Sequence, residues 1–216
     1  MIGHNNGPPI GDINETGGRG RLYLWRKAHK AAWRTPPIEI VRLRDRAAQR
    51  LGLSYKDYTS ILLDRGRRVS AVFFQLEGTL IRMRHNGAAL DAHGAELMPG
   101  VRRKLLKLDC AVFVLGGVRG HLATAMIEQS MRQIGALCRN ALVDYTVAAA
   151  TAADGATDLA VPLRELLNRH QLPASQAVLV GDTVEAERAA ATIGLARFLW
   201  AWHYFSDSLA QSSEMQ

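Results

Sequence analysis

Ala177-Val-Leu-Val-Gly-Asp-Thr-Val184 is the stretch on which the reading of the fold turns. An apolar run with two β-branched valines reads as a short, buried strand. Gly181 is expected to allow a tight turn, and Asp182 then stands at the strand's carboxyl end. Glu185 to Ile193 reads as a returning helix packed by small residues. A carboxylate at the carboxyl end of a parallel strand lies where open α/β sheets place their ligands. The same residues also read as a plain Gly-Asp turn with Asp182 capping a helix.

Upstream, the period changes at Val69. VSAVFF reads as a strand running into Gln75-Leu-Glu-Gly-Thr-Leu80, and residues 81–98 read as irregular. Pro99-Gly100 opens a helix carrying Val101, Leu105 and Leu106. Cys110 to Leu115 is expected to be a second buried strand, followed by a helix from Gly120 to Ile134. Ala141 to Val147 reads as a strand, 148–157 as a loop and Leu159 to His170 as a helix. Arg197 to Ala201 is the last expected strand. Strands alternating with helices predict an α/β fold whose parallel sheet is covered on both faces.

Three pieces of this sequence carry a family resemblance. Phe73-Phe-Gln-Leu-Glu-Gly-Thr-Leu80, Leu97-Met-Pro-Gly-Val101 and the long segment from Val178 to Ala201 occur in order at fitting intervals. They resemble the haloacid dehalogenase (HAD) superfamily, whose members are mostly phosphatases, and His203-Tyr-Phe205 is similar to the aromatic ending of many of them. The resemblance spans residues 69 to about 205 and implies a Rossmannoid parallel sheet with a minimal cap. It also implies a set of reacting groups, and these have changed. Gln75 stands where the family has its aspartate nucleophile, and a carboxamide neither attacks phosphorus nor gives Mg²⁺ an anionic oxygen. Glu77 stands at the general acid/base position, its carboxyl displaced by about 1 Å or more, a shift that can be costly. Gly116 follows Leu115 where a Ser or Thr would hold phosphate, and no lysine lies near Thr157-Asp158; Arg164 is the first basic residue beyond. Asp182 is retained, with Ala186 or Glu187 at its partner position. Asp182 and Glu187 are therefore the weak metal candidates, and Glu77 and Asp182 the vestigial catalytic ones. No cofactor is expected, or Mg²⁺ if the site is active.

The chain has 216 residues and a net charge of +7, placed unevenly. Residues 1–68 hold 14 Lys/Arg against 6 Asp/Glu; the remainder holds 13 against 14. That asymmetry points to an acidic partner. Residues 1–21 read as a polar, glycine-rich arm without the apolar centre of a signal peptide. The opening Met-Ile-Gly-His-Asn-Asn-Gly-Pro resembles that of a group of small bacterial proteins of unknown function. Residues 22–68 are expected to form a basic helical domain, 69–205 the α/β domain and 206–216 a tail. Leu22 to Trp33 has helical period, and Ile38 to Leu51 forms a second helix after Pro36-Pro37. Gly52-Leu53 breaks the chain, and Ser54 opens a third helix with Asp57 as capping partner, closing at Arg65-Gly66.

AAQRLGLSYKDYTSIL (residues 47–62) thus reads helix, glycine turn, helix, which is similar to the helix-turn-helix of DNA-binding proteins. In that arrangement Arg50 meets phosphates while Tyr55, Lys56 and Thr59 face a groove. The alternative is a hairpin that merely packs as a structural cap, with Tyr55, Tyr58 and Ile61 buried. No apolar run reaches the roughly 18 residues of a membrane helix. Cys110 and Cys138 sit in apolar contexts and are expected to be free thiols of a cytoplasmic protein. The sequence favours a catalytically impaired HAD-like protein with a binding or regulatory role. The rival reading is a Mg²⁺-dependent phosphatase with an altered site.

Overall fold

The computed structural model describes residue 20 and residues 23–27, 36–76, 78–86, 89–97, 100–116, 124–138, 141–147 and 159–206. The chain divides into two compact units, Met1–Leu43 and Arg44–Gln216. The expected boundary between a helical domain and the sheet, at 68/69, is therefore not where the units part: residues 44–68 belong with the sheet. In the first unit residues 23–27 are helical, with Tyr23, Leu24 and Trp25 exposed. Most of the expected arm and most of the expected tail lie outside the described residues.

Helix α1 is Ile38–Arg50 and α2 is Tyr55–Arg65. Ser54 caps α2: its Oγ accepts the Asp57 N–H at 3.0 Å and donates to Asp57 Oδ2 at 2.7 Å. Gly66, at φ 64°, ends the helix in the left-handed conformation that glycine adopts without strain. Then come β1 (Ala71–Gln75), β2 (Ile81–Asn86), β3 (Ala89–Leu97), α3 (Val101–Leu105), β4 (Ala111–Gly116) and α4 (Thr124–Cys138). The chain continues with β5 (Leu142–Val147), α5 (Ala160–Arg169), β6 (Ala177–Gly181), α6 (Val184–Ile193) and β7 (Arg197–Trp200). Residues 201–206 are helical.

Five strands form one sheet in the order β5-β4-β1-β6-β7, every pairing parallel. The fold class is thus the expected α/β one. β1 is central because all five of its residues are buried, so it needs partners on both edges and helices on both faces. Alternation along the strands sorts their side chains into two layers. Val72, Phe74, Val112, Val114, Val178 and Val180 join a core shared with Ala48, Leu51, Tyr58 and Ile61 of the helical hairpin. Ala71, Phe73, Phe113, Leu115, Ala177 and Leu179 face the opposite core, filled by α5 and α6. The hairpin is accordingly a layer of the domain; of the three residues the packing alternative expected to be buried, Tyr58 and Ile61 are, and Tyr55 is half-buried.

One element corrects the sequence reading. Residues 81–98, expected to be irregular, include the antiparallel pair β2–β3, with Ile81 opposite Leu97 and His85 opposite Leu90. No described helix is long and apolar enough to cross a membrane.

Candidate functional site

Parallel strands present their carboxyl ends to one side, and there β1 and β6 bring Gln75 and Gly181-Asp182-Thr183 together. Gln75 is fully buried. Its Oε1 accepts the Asp182 N–H at 3.3 Å and the Thr183 hydroxyl at 3.4 Å. A carboxamide suits this place: it is neutral, so burial costs far less than a carboxylate would, and its oxygen accepts from both groups. Thr183 in turn caps α6, its Oγ1 accepting the Ala186 N–H at 3.2 Å. Gln75 is therefore bonded into the turn that connects β6 to α6.

Gly181 is required here for a reason other than the tight turn its sequence context suggested. It is the last residue of β6, and a Cβ on it would lie 2.9 Å from Gln75 Oε1 and 3.0 Å from Phe198 Cε2. Gln75 and Phe198 leave no room for a side chain. Gly78, at φ 76°, is the true conformational glycine, in the turn that carries β1 into β2. Beside it Thr79 is buried, and its hydroxyl has no partner among the described residues.

A Cβ on Gly116 would meet Ile127 Cγ2 at 3.3 Å and Leu76 Cδ2 at 3.5 Å, so the end of β4 is walled by hydrocarbon. Glu187 is exposed on α6. Arg164 lies with Glu185, Arg188 and Thr192 along a groove between α5 and α6 of about 330 Å³. Glu77 and Thr157-Asp158 fall outside the described residues. Among the described residues no group of three His, Cys, Asp or Glu could hold a metal ion.

Titratable groups also gather at a smaller cavity, about 50 Å³, between the start of α2 and residues 199–206. His203 Nε2 lies 3.2 Å from Asp57 Oδ2, the same oxygen that accepts the Ser54 hydroxyl. Serine and imidazole share a carboxylate and do not bond each other, so this is a helix cap and not a nucleophile with its base.

The residues expected at a DNA groove are separated. Arg50 and Lys56 are exposed, Tyr55 is half-buried, and Thr59 is 1% exposed with its hydroxyl unpartnered among the described residues. Thr59 is a correction: it faces the core on the same side of α2 as Tyr58 and Ile61, because the hairpin packs on the sheet. Sequence reading passed over a different basic cluster, Arg102-Arg-Lys-Leu-Leu-Lys107. Counting charge over the whole of 69–216 averaged it away; a window of a few residues finds it.

No family model matches the chain, and no curated protein matches it. Solved structures similar to it include the D,D-heptose 1,7-bisphosphate phosphatase of B. bronchiseptica, complexed with magnesium and phosphate. That likeness has 19% identity and a TM-score of 0.49, over 66% of this chain and 87% of that one. A haloacid dehalogenase-like hydrolase from Streptococcus pneumoniae is similar at 15% identity and TM-score 0.43, over 66% and 90% of the two chains. The cobalt-bound deoxy-D-mannose-octulosonate 8-phosphate phosphatase of Haemophilus influenzae is similar at 12% identity and TM-score 0.44, over 62% and 68%.

Proposed function

We propose that this chain is a haloacid dehalogenase-like protein that acts by binding and does not hydrolyse phosphate esters. One observation carries the reading: Gln75, at the position of the nucleophile, is buried and hydrogen-bonded to the residues on either side of the Asp182–Thr183 peptide. An amide has no anionic lone pair to form an acyl-phosphate, and its oxygen already accepts from Asp182 and Thr183. The hydrocarbon around Gly116 adds to this, since it offers no hydroxyl to a phosphate. The role is then one of recognition, with the basic charge of the N-terminal third and its neighbours meeting an acidic partner. Two free thiols fit a reducing, cytoplasmic setting.

The rival reading keeps the chemistry, and Asp182 at the carboxyl end of β6 is what favours it. Assay of the full chain with p-nitrophenyl phosphate and a panel of sugar phosphates, with Mg²⁺ present, separates the two. Turnover is expected to match a protein-free control. Activity that disappears in Asp182→Asn would show a working phosphatase.

A further inference from the structure

We propose that the corner between the end of α1 and α3 is a docking face for the phosphate backbone of double-stranded nucleic acid. The proposal deepens the binding reading above and rests on it for the role of the basic charge. Sequence distance hides this face, because its two halves lie more than fifty residues apart. The structure stitches them together. The Asp109 N–H donates to the Arg50 carbonyl at 2.9 Å, while Arg50 Nε donates to the Asp109 carbonyl at 3.0 Å and to Asp109 Oδ2 at 2.9 Å. A Cβ on Gly52 would touch Leu108 Cδ2 at 3.0 Å and Lys104 Cε at 3.1 Å.

Burial then fixes which side chains point outward. Val101, Leu105 and Leu108 are inside, so the helical turn leaves Arg102, Arg103 and Lys107 exposed. On α1, Arg46 stands one turn before Arg50 on the same exposed stripe. The stripe therefore meets the segment after α3 at Asp109, two residues past Lys107. Arg46, Arg102 and Lys107 have no ion pair among the described residues, whereas the Asp109 carboxylate is already engaged by Arg50.

The chemistry of the face selects its occupant. It is rich in arginine, whose planar fork matches phosphate oxygens. Its aromatic neighbour, Tyr204, lies 4.7 Å beneath Lys104 Nζ and is buried, so among the described residues no ring is exposed on this face; the exposed large apolar group there is Leu106. Single-strand binders pair positive charge with rings on which bases stack, so a face of cations alone suits the regular phosphates of a duplex. Recognition of this kind is independent of sequence.

The test is fluorescence anisotropy of a labelled, mixed-sequence duplex with the full chain, repeated across salt. Three or four phosphate contacts predict a log–log slope of about −3 to −4, and so about a 100-fold loss of affinity between about 50 and 200 mM salt. Arg46→Gln/Arg102→Gln/Lys107→Gln should flatten the slope by about 2 to 3 and weaken low-salt binding at least about tenfold. Lys56→Gln/Arg67→Gln/Arg68→Gln, on exposed positions elsewhere, should keep most of both. Arg46→Lys/Arg102→Lys preserves the charge and should preserve the slope, which separates lost charge from lost structure. No duplex binding at low salt, equal loss in the two Gln triples, or tighter binding to single strands or to polyglutamate would each overturn the proposal. Phosphate-ester turnover would instead defeat the binding reading without altering this slope, so the two failures are distinguishable.

Discussion

Gln75 shows how one side chain can hold a turn in place from a neighbouring strand. A buried acceptor that serves a backbone N–H and a hydroxyl leaves both stranded when it is cut away. Gln75→Leu keeps the volume and removes the oxygen, so it should cost about 1–3 kcal/mol of stability, read from the urea midpoint. An unchanged midpoint would mean that the two hydrogen bonds contribute nothing. At this scale much of the site was legible. The Gly-Asp-Thr stretch announced its place at the end of a strand, and Gln75 was expected at the end of the strand beside it. What the sequence could not reveal was that the carboxamide would turn toward residue 182, across the gap between neighbouring strands. Nor could it tell that a side chain on Gly181 would crowd Gln75 and Phe198, since the second contact exists only after β7 has paired with β6.

Elements were legible where hydrophobic period was strong. The expected strands coincide closely with β1, β4, β5, β6 and β7, and the helix expected from Leu159 to His170 with α5. β2 and β3 were hidden because their segments hold few β-branched residues and contain Gly94 and several alanines; weak propensity masks a pairing that the antiparallel partner supplies. The helical hairpin was recognised as such, but not the layer it packs on, since Tyr58 and Thr59 suit a core or a surface equally well. β5 and α5 also share an ionic tie that no spacing foretells. Asp144 Oδ2 accepts from Arg169 Nη1 at 2.7 Å and lies 2.9 Å from His170 Nε2, while Oδ1 accepts the Tyr145 N–H. Burial alone would raise the Asp144 carboxyl, but the bonds from His170, Arg169 and Tyr145 outweigh it and hold it below the usual carboxylate range. The folded form thus prefers the charged carboxylate. Its contribution is complete above the unfolded value near 3.8 and is lost as pH falls through the lower folded one. Acid titration of stability should be shallower below about pH 4 in Asp144→Asn than in the parent; superimposable profiles would refute the tie.

Across the whole molecule, burial sets how the protein meets its surroundings. Cys110 and Cys138 are both pushed up, to about 12 and about 11, chiefly because the interior disfavours a thiolate. A disulfide reagent at about pH 8 should therefore label neither until the domain opens, and the rate should follow denaturant as global unfolding does. Rapid labelling of the native chain would show that the core around α4 and β4 opens locally. The closing of that core depends on a distant part of the chain. Phe74 packs against Tyr204 and Phe205, and the Tyr204 hydroxyl donates to the Leu51 carbonyl across 153 positions. During translation β1 emerges early yet waits for β6, and its helical layer waits longer still, for residues near 205. Throughout that interval the nascent chain carries a half-partnered, strongly apolar strand, the kind of exposed edge on which misassociation begins.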